Sequence, residues 1–124
     1  MLATSRLQTL VWTSKIVEAT RFYSDVLGLP FKGTSHGASI YEVGGGELRI
    51  SPVPSTKPSE HTVVGFAVDD IGAAVAMLGA RGVPFERIAG FPHDERGVLK
   101  TPDGAKVAWF RDPDGNLLSI VQYA

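Results

Sequence analysis

Residues 109–122, WFRDPDGNLLSIVQ, decide the fold of this chain. Two apolar runs flank the pentapeptide DPDGN, whose proline and glycine predict a turn between two strands. A calcium loop of the EF-hand type is excluded, because counting from Asp112 the glycine comes fourth and the twelfth residue is Tyr123. The second apolar run carries one polar residue, Ser119, in the middle of a predicted strand.

The sequence contains an internal repeat. The segment GLPF at 28–31 returns as GVPF at 82–85, and each copy follows apolar residues at helical spacing. Ser14 is predicted to cap the first helix, and Asp69 and Asp70 the second. A strand-like run precedes each helix, at 7–13 and 62–68. Three more strand candidates follow each helix, at 30–34, 39–43 and 47–51 in the first half and at 84–88, 105–111 and 116–122 in the second.

Length and composition limit the classes of protein to consider. The 124 residues suit one domain, and a net charge of −1 gives no electrostatic case for nucleic acid or a membrane surface. No signal peptide and no apolar run of about 20 residues is present, so we expect a cytoplasmic protein. Without cysteine, thiol catalysis and disulfides are excluded. We predict a single domain over 1–124, with module one at about 1–54, a linker at about 52–60 (PVPSTKPSE) and module two at about 61–124.

Three stretches carry a family resemblance: RFYSDVLGLPF at 21–31, VDDIGAAV at 68–75 and FRDPDGNLLSIVQ at 110–122. In order and spacing they resemble the vicinal oxygen chelate superfamily, which includes glyoxalase I, extradiol dioxygenases, fosfomycin-resistance enzymes and bleomycin-resistance proteins. The resemblance implies an α+β fold in which two βαβββ modules form a cup-shaped mixed sheet with helices on its outer face, usually in a homodimer. It also implies, for metal-using members, one metal ligand on the first and one on the last strand of each module.

By this resemblance the four ligand positions fall on Gln8, Arg49, Val63 and Ser119. Only Gln8 is a known type of ligand there; the resemblance implies Glu where Arg49 and Ser119 stand and His where Val63 stands. His61 lies two residues earlier on the same predicted strand face, about 6–7 Å away, too far to replace Val63 without a register shift. An arginine repels a cation, so we expect no metal and no cofactor.

Strand alternation then assigns the residues that face the cup. Arg49 is a candidate anchor for a carboxylate or phosphate, or else the partner of Glu47 in an internal ion pair. Trp12 could stack on a flat ligand or pack in a dimer interface, and the phase of the strand that carries Trp109 is left open. The candidate ligand-binding residues are Gln8, Leu10, Trp12, Glu47, Arg49, His61, Val63, Trp109, Ser119 and Val121.

The favoured interpretation is a metal-free dimeric protein, similar to the bleomycin-resistance branch, that binds a small apolar or aromatic, possibly anionic, molecule. Bleomycin itself is cationic, so Arg49 argues mildly against it. The alternative is an enzyme of glyoxalase or dioxygenase type, with displaced metal ligands or with Glu47 or His61 as general base; no catalytic residue is assigned. A dimer with an empty cup is a third hypothesis. His36 and His93 are predicted to be solvated loop residues, with the loop around His93 a conceivable lid. His61 is predicted to be a solvated residue at a strand end, with a position facing the cup as the alternative.

Overall fold

Two four-stranded mixed sheets and two helices form the framework of the protein, in a computed structural model that describes all residues 1–124. The α+β class and the two βαβββ modules are as predicted. The chain divides into two compact units, Met1–Lys57 and Pro58–Ala124, called module one and module two below. Neither helix has the length and apolar composition needed to cross a bilayer.

Module one begins with a short 3-10 turn and a strand that pairs in parallel with the last strand of the module. The other pairings are antiparallel, in the order β1-β4-β3-β2. Gly44 and Gly45, with φ of 56° and 82°, form the two-residue turn between β3 and β4. The elements are the turn Leu2–Thr4, β1 Gln8–Thr13, α1 Ile16–Arg21 with a π-helical turn Phe22–Val26, β2 Phe31–Ser35, β3 Ala38–Val43 and β4 Gly46–Pro52.

One face of this sheet packs on α1. Tyr23 from the π-helical turn and Tyr41 from β3 are fully buried there, with ring centroids 6.2 Å apart. The Tyr41 hydroxyl lies 2.8 Å from Ser24 Oγ, and burial raises the pKa of Tyr41. The helix begins after Lys15, which occupies the N-cap position without a side-chain cap, so the predicted cap at Ser14 is displaced by one residue.

Module two repeats this frame with a sheet in the order β5-β8-β7-β6. Asp70 caps the helix as predicted, its carboxylate accepting from the Ala73 amide at 3.0 Å. The amide of Ile71, the first residue of the helix, donates to Gln122 Oε1 at 2.9 Å. The elements are β5 Val64–Ala67, α2 Ile71–Ala80, β6 Leu99–Lys100, β7 Lys106–Arg111 and β8 Leu117–Gln122.

The strand predicted at 84–88 is wrong. Only Glu86 bridges to the sheet there, through its amide to the Trp109 carbonyl at 2.8 Å. Pro84 has no amide hydrogen to donate, and after Ile88 the chain leaves the sheet in a loop. It returns as the two-residue strand β6, which takes the edge position.

The DPDGN turn has the predicted form. Asp112 is buried, and its Oδ1 accepts from the amides of Asp114 and Asn116 at 3.0 and 2.9 Å. Its Oδ2 accepts from Asn116 Nδ2 at 2.9 Å, and Gly115 has a φ of 88°. The Asp112 carboxylate therefore holds the hairpin between β7 and β8.

Candidate ligand-binding surfaces

The sheet face of module one that points away from α1 is open. Along β1, Val11 and Thr13 are buried. The alternate residues Leu10 and Trp12 are 56% and 61% exposed. The predicted alternation is confirmed on β4 as well, where the inward residues are buried and their neighbours half-buried. We call this surface the module-one face; it carries Gln8, Leu10, Trp12, Glu47, Arg49 and Ser51.

Three polar side chains of this face bind one another. Gln8 Nε2 donates to Glu47 Oε2 at 2.7 Å, and Arg49 Nη1 lies 3.5 Å from the same oxygen. Arg49 Nη2 also donates to the Ser35 carbonyl on β2 at 3.1 Å, reaching across β3. We call Gln8, Glu47 and Arg49 the polar cluster. Of the two interpretations of Arg49, the structure forms the internal ion pair; its role as a ligand anchor stays a prediction.

The polar cluster fixes the charge of its carboxylate. The hydrogen bond from Gln8, followed by the hydrogen bond and charge of Arg49, lowers the pKa of Glu47 against the opposing effect of partial burial. Glu47 is therefore ionised at neutral pH and offsets the charge of Arg49. A carboxylate that accepts hydrogen bonds from two donors is a weak general base. The hypothesis of an enzyme that uses Glu47 as its general base therefore loses support.

The two modules place the four implied ligand positions in the same register. Gln8 lies opposite the residue two positions before Arg49. The amide of Val63 donates at 2.9 Å to the carbonyl of the residue two positions before Ser119. Gln8 thus corresponds to Val63 and Arg49 to Ser119, which agrees with the assignment made from the resemblance.

In module two the corresponding face bears a hollow of about 580 Å³. Trp109 lies directly opposite Ser119 on the neighbouring strand, and Val107 opposite Val121, so the four side chains share one face and the phase of Trp109 is fixed. Gly65 leaves room over the serine, since a Cβ there would lie 3.1 Å from Ser119 Oγ. We call this surface the module-two hollow; it is lined by Thr101, Pro102, Asp103, Ala105, Val107, Trp109, Ser119, Val121 and Tyr123.

The module-two hollow has one charged side chain. A hydrogen bond from the Thr101 hydroxyl, and a weaker one from the Ala105 amide, lower the pKa of Asp103. The lining has no lysine, arginine or histidine. The lining therefore offers no positive charge to an anion, and its valine and indole side chains suit apolar groups.

Sequence reasoning found part of this lining. Trp109, Ser119 and Val121 were predicted, and alternation along β7 would have added Val107 once the phase of Trp109 was known. The loop that contributes Thr101, Pro102 and Asp103 had no such signal, because the strand beside it was placed at 84–88.

The residues at the four implied positions do not fit a divalent metal ion. They offer an amide, a guanidinium, an alkyl group and a hydroxyl, and the guanidinium is already paired with a carboxylate. Elsewhere too, no group of three or more His, Asp and Glu side chains is arranged to hold a metal.

One of the three histidines departs from its predicted surroundings. His61 lies outside β5, is exposed and has its Nδ1 2.6 Å from Ser59 Oγ, as expected of a solvated residue at a strand end rather than one that faces the cup. His93 was predicted to be solvated, but it is half-buried and hydrogen-bonded at both ring nitrogens. His36 is an exposed turn residue with a φ of 52°, as expected of a loop position.

Most of the chain matches the model of a known protein family. The family model described as Glyoxalase/Bleomycin resistance protein/Dioxygenase superfamily matches residues 6–120. None of the curated proteins matches the sequence.

Solved structures agree in fold. A glyoxalase family protein from Bacillus anthracis has a TM-score of 0.77 and 17% identity, covering 98% of this chain and 96% of that one. Lactoylglutathione lyase from Agrobacterium tumefaciens has a TM-score of 0.74 and 18% identity, covering 96% and 93%. A glyoxalase/bleomycin resistance protein/dioxygenase from Alicyclobacillus acidocaldarius has a TM-score of 0.70 and 17% identity, covering 97% and 92%. At these identities the similarity establishes the fold alone.

Proposed function

Because the chain belongs to the Glyoxalase/Bleomycin resistance protein/Dioxygenase superfamily, we propose that it is a cytoplasmic, metal-free binding protein. Its module-two hollow takes a small, neutral, apolar or aromatic molecule. One observation carries this proposal: Trp109, Val107 and Val121 line an open hollow beside Ser119 in which no basic side chain is present.

Each part of the hollow has a role in this binding. The indole of Trp109 offers a flat surface for an aromatic ring, in a stacked or edge-on arrangement. Covering about 100 Å² of apolar surface would contribute about 2.5 kcal/mol before the costs of association are subtracted. The hydroxyl of Ser119 supplies one hydrogen bond that orients a polar atom on the ligand.

The enzyme alternative receives less support from the side chains. Its two predicted general bases were Glu47 and His61. Glu47 is held ionised by Gln8 and Arg49, and His61 is exposed beside Ser59 outside the strand. The name lactoylglutathione lyase belongs to a structural neighbour that shares 18% of its residues with this chain.

We also propose that the protein is a homodimer. The support comes from the module-one face. Its residues Leu10 and Trp12 are apolar, more than half exposed and located on the edge strand β1. Trp12→Ala should then raise the monomer fraction in sedimentation velocity. An unchanged sedimentation profile would remove this part of the proposal.

A matched pair of variants tests the ligand site. In the shared register Val121 corresponds to Ser51, so Val121→Asp and Ser51→Asp place the same carboxylate at equivalent points of the two modules. We expect calorimetric titration with 1-naphthylmethanol to show binding by the wild type and by Ser51→Asp, and a loss in Val121→Asp. Equal losses in both variants, or tighter binding of 1-naphthoate than of the neutral alcohol, would argue against the proposal.

A further inference from the structure

His93 is fixed within the loop that joins Ile88 to β6. Its Nε2 accepts from the Ile88 amide at 3.0 Å, and its Nδ1 lies 2.8 Å from the Gly97 carbonyl oxygen. The imidazole therefore connects the two ends of the loop. His93 also bridges to Leu99 on β6, so the loop is tied to the sheet edge.

These two bonds define the protonation state of the ring. A carbonyl oxygen can only accept, so Nδ1 carries a hydrogen, and an amide can only donate, so Nε2 presents a lone pair. The structure thus holds His93 as the neutral Nδ1–H tautomer. A second proton on Nε2 would turn the acceptor into a donor facing the Ile88 amide, and that hydrogen bond would be lost.

The same ring contacts Trp109, which is one of the side chains that line the module-two hollow. The imidazole lies against the indole of Trp109 in an edge-on arrangement, with ring centroids 6.1 Å apart and planes at 65°. Trp109 lines the module-two hollow, whereas His93 does not. His93 is therefore placed to act on the hollow only through the position of Trp109.

We infer that neutral His93 positions Trp109 in the module-two hollow, and that protonation of His93 releases the loop and weakens ligand binding. This inference rests on the proposed function for its ligand, but the positioning of Trp109 is measurable without one.

The surrounding charges leave the added proton uncompensated. No carboxylate forms an ion pair with His93. On the loop, Asp94 accepts from the amides of Arg96 and Val98, and on the sheet side Glu86 pairs with Arg111. The other charged side chains on these elements are Arg87, Glu95, Arg96, Lys100 and Lys106.

The test uses Trp109 as the reporter. Trp12→Phe leaves Trp109 as the only tryptophan, and its emission is followed from pH 8 to pH 5 without ligand. We expect a shift to longer wavelength and stronger quenching by acrylamide as the pH falls. Adding His93→Gln should abolish the transition, since the amide side chain can donate and accept but does not titrate, and adding His93→Phe should give the low-pH emission at every pH.

Two exposed histidines provide the controls. His36→Gln and His61→Gln, each in the Trp12→Phe background, should leave the transition unchanged. A transition that survives His93→Gln, or a flat profile in the Trp12→Phe protein, would overturn the inference. If a variant does not fold, proton–nitrogen correlation spectra of the wild-type imidazoles decide the matter: His93 must be the Nδ1–H tautomer at pH 8.

A ligand arm separates this inference from the proposed function. The affinity for 1-naphthylmethanol, which does not titrate in this range, should fall with pH in the Trp12→Phe protein and stay constant in His93→Gln. A fluorescence transition without any binding would contradict the proposed function and support the positioning of Trp109. Binding that is independent of pH, with a flat emission profile, would support the proposed function and overturn the inference.

Discussion

The module-one face and the module-two hollow share a backbone frame and differ in almost every side chain. Both use a parallel pair of first and last strands in the same register. On the module-one face Gln8, Glu47 and Arg49 bind one another and leave no net charge. At the corresponding positions of module two, two alkyl side chains and a small hydroxyl take their place, and the hydroxyl, that of Ser119, lines the hollow. The frame is common to the superfamily, and the side chains at a few register positions decide what each face can bind.

This difference has an energetic side. The three side chains of the polar cluster already form hydrogen bonds with one another, so a ligand that uses the same atoms must replace bonds that exist. The module-two hollow has mainly water to lose, and displacing water from apolar surface is favourable. We therefore expect substitutions in the module-two hollow to change ligand affinity, and substitutions on the module-one face to change it very little.

The largest expected effect comes from the two tryptophans, one in each module. Trp109→Ala should weaken binding of 1-naphthylmethanol by about thirtyfold, or about 2 kcal/mol, because an aromatic wall of the hollow is removed. Trp12→Ala should change the affinity by less than about twofold, well below the threshold that marks an interface residue as important. Calorimetric titration of both variants measures the contrast, with circular dichroism as the control for folding. A larger loss of affinity in Trp12→Ala than in Trp109→Ala would show that the ligand does not bind in the module-two hollow.

The next effect concerns the space above Ser119. Gly65→Ala brings a methyl group to 3.1 Å from Ser119 Oγ, and Ser119 is buried, so we expect a loss of about 1 kcal/mol in the free energy of unfolding. In a Ser119→Ala background the same substitution should cost almost nothing, because the clashing oxygen is gone. Urea denaturation of the four proteins gives the coupling. Equal costs in both backgrounds would show that the two side chains do not meet.

A smaller effect is expected at Arg49. Because Glu47 already offsets its charge, Arg49→Met should alter the affinity for 1-naphthylmethanol and for 1-naphthoate by less than about twofold. Titration with the two probes in parallel separates a charge effect from a shape effect. A large loss confined to 1-naphthoate would mean that Arg49 recognises an anion in spite of its partner.

The smallest effect is a shift in the titration of Glu47. Gln8→Met removes the hydrogen bond that contributes most to its lowered pKa, so the pKa should rise toward the ordinary value of 4.5. A carboxyl whose folded-state pKa is lowered contributes stability above its unfolded-state pKa and loses it as the pH falls through the folded-state value. Gln8→Met should therefore reduce the loss of stability below about pH 4.5. Carbon-13 NMR of the side-chain carboxyl follows the change, and an unaltered pKa would assign the shift to Arg49 and Arg6 without Gln8.

Most of the fold was predictable because its signals are local. Apolar alternation placed β1, β3, β4 and β8, and the turn chemistry of Gly44–Gly45 and DPDGN placed two hairpins. The failure at 84–88 has a physical reason: an edge segment of module two needs few hydrogen bonds, so its pattern did not show that the chain would leave the sheet and return as β6.

The candidate surfaces were predictable only in part. Alternation identified Gln8, Glu47 and Arg49 as residues of one face, but the bonds among them depend on side-chain conformations that no pattern specifies. The role of His93 was missed for a related reason. Its partners are a backbone amide and a carbonyl in a loop, and such contacts leave no trace in residue type.

Calorimetry before and after metal addition shows whether this chain binds its ligand without a metal ion. The protein is treated with a chelator, its metal content is determined, and it is titrated calorimetrically with 1-naphthylmethanol before and after addition of Ni²⁺ or Zn²⁺. We expect saturable binding by the metal-free protein, with an affinity that neither ion changes. Stoichiometric tight binding of either ion, with probe binding seen only after the ion is added, would contradict it.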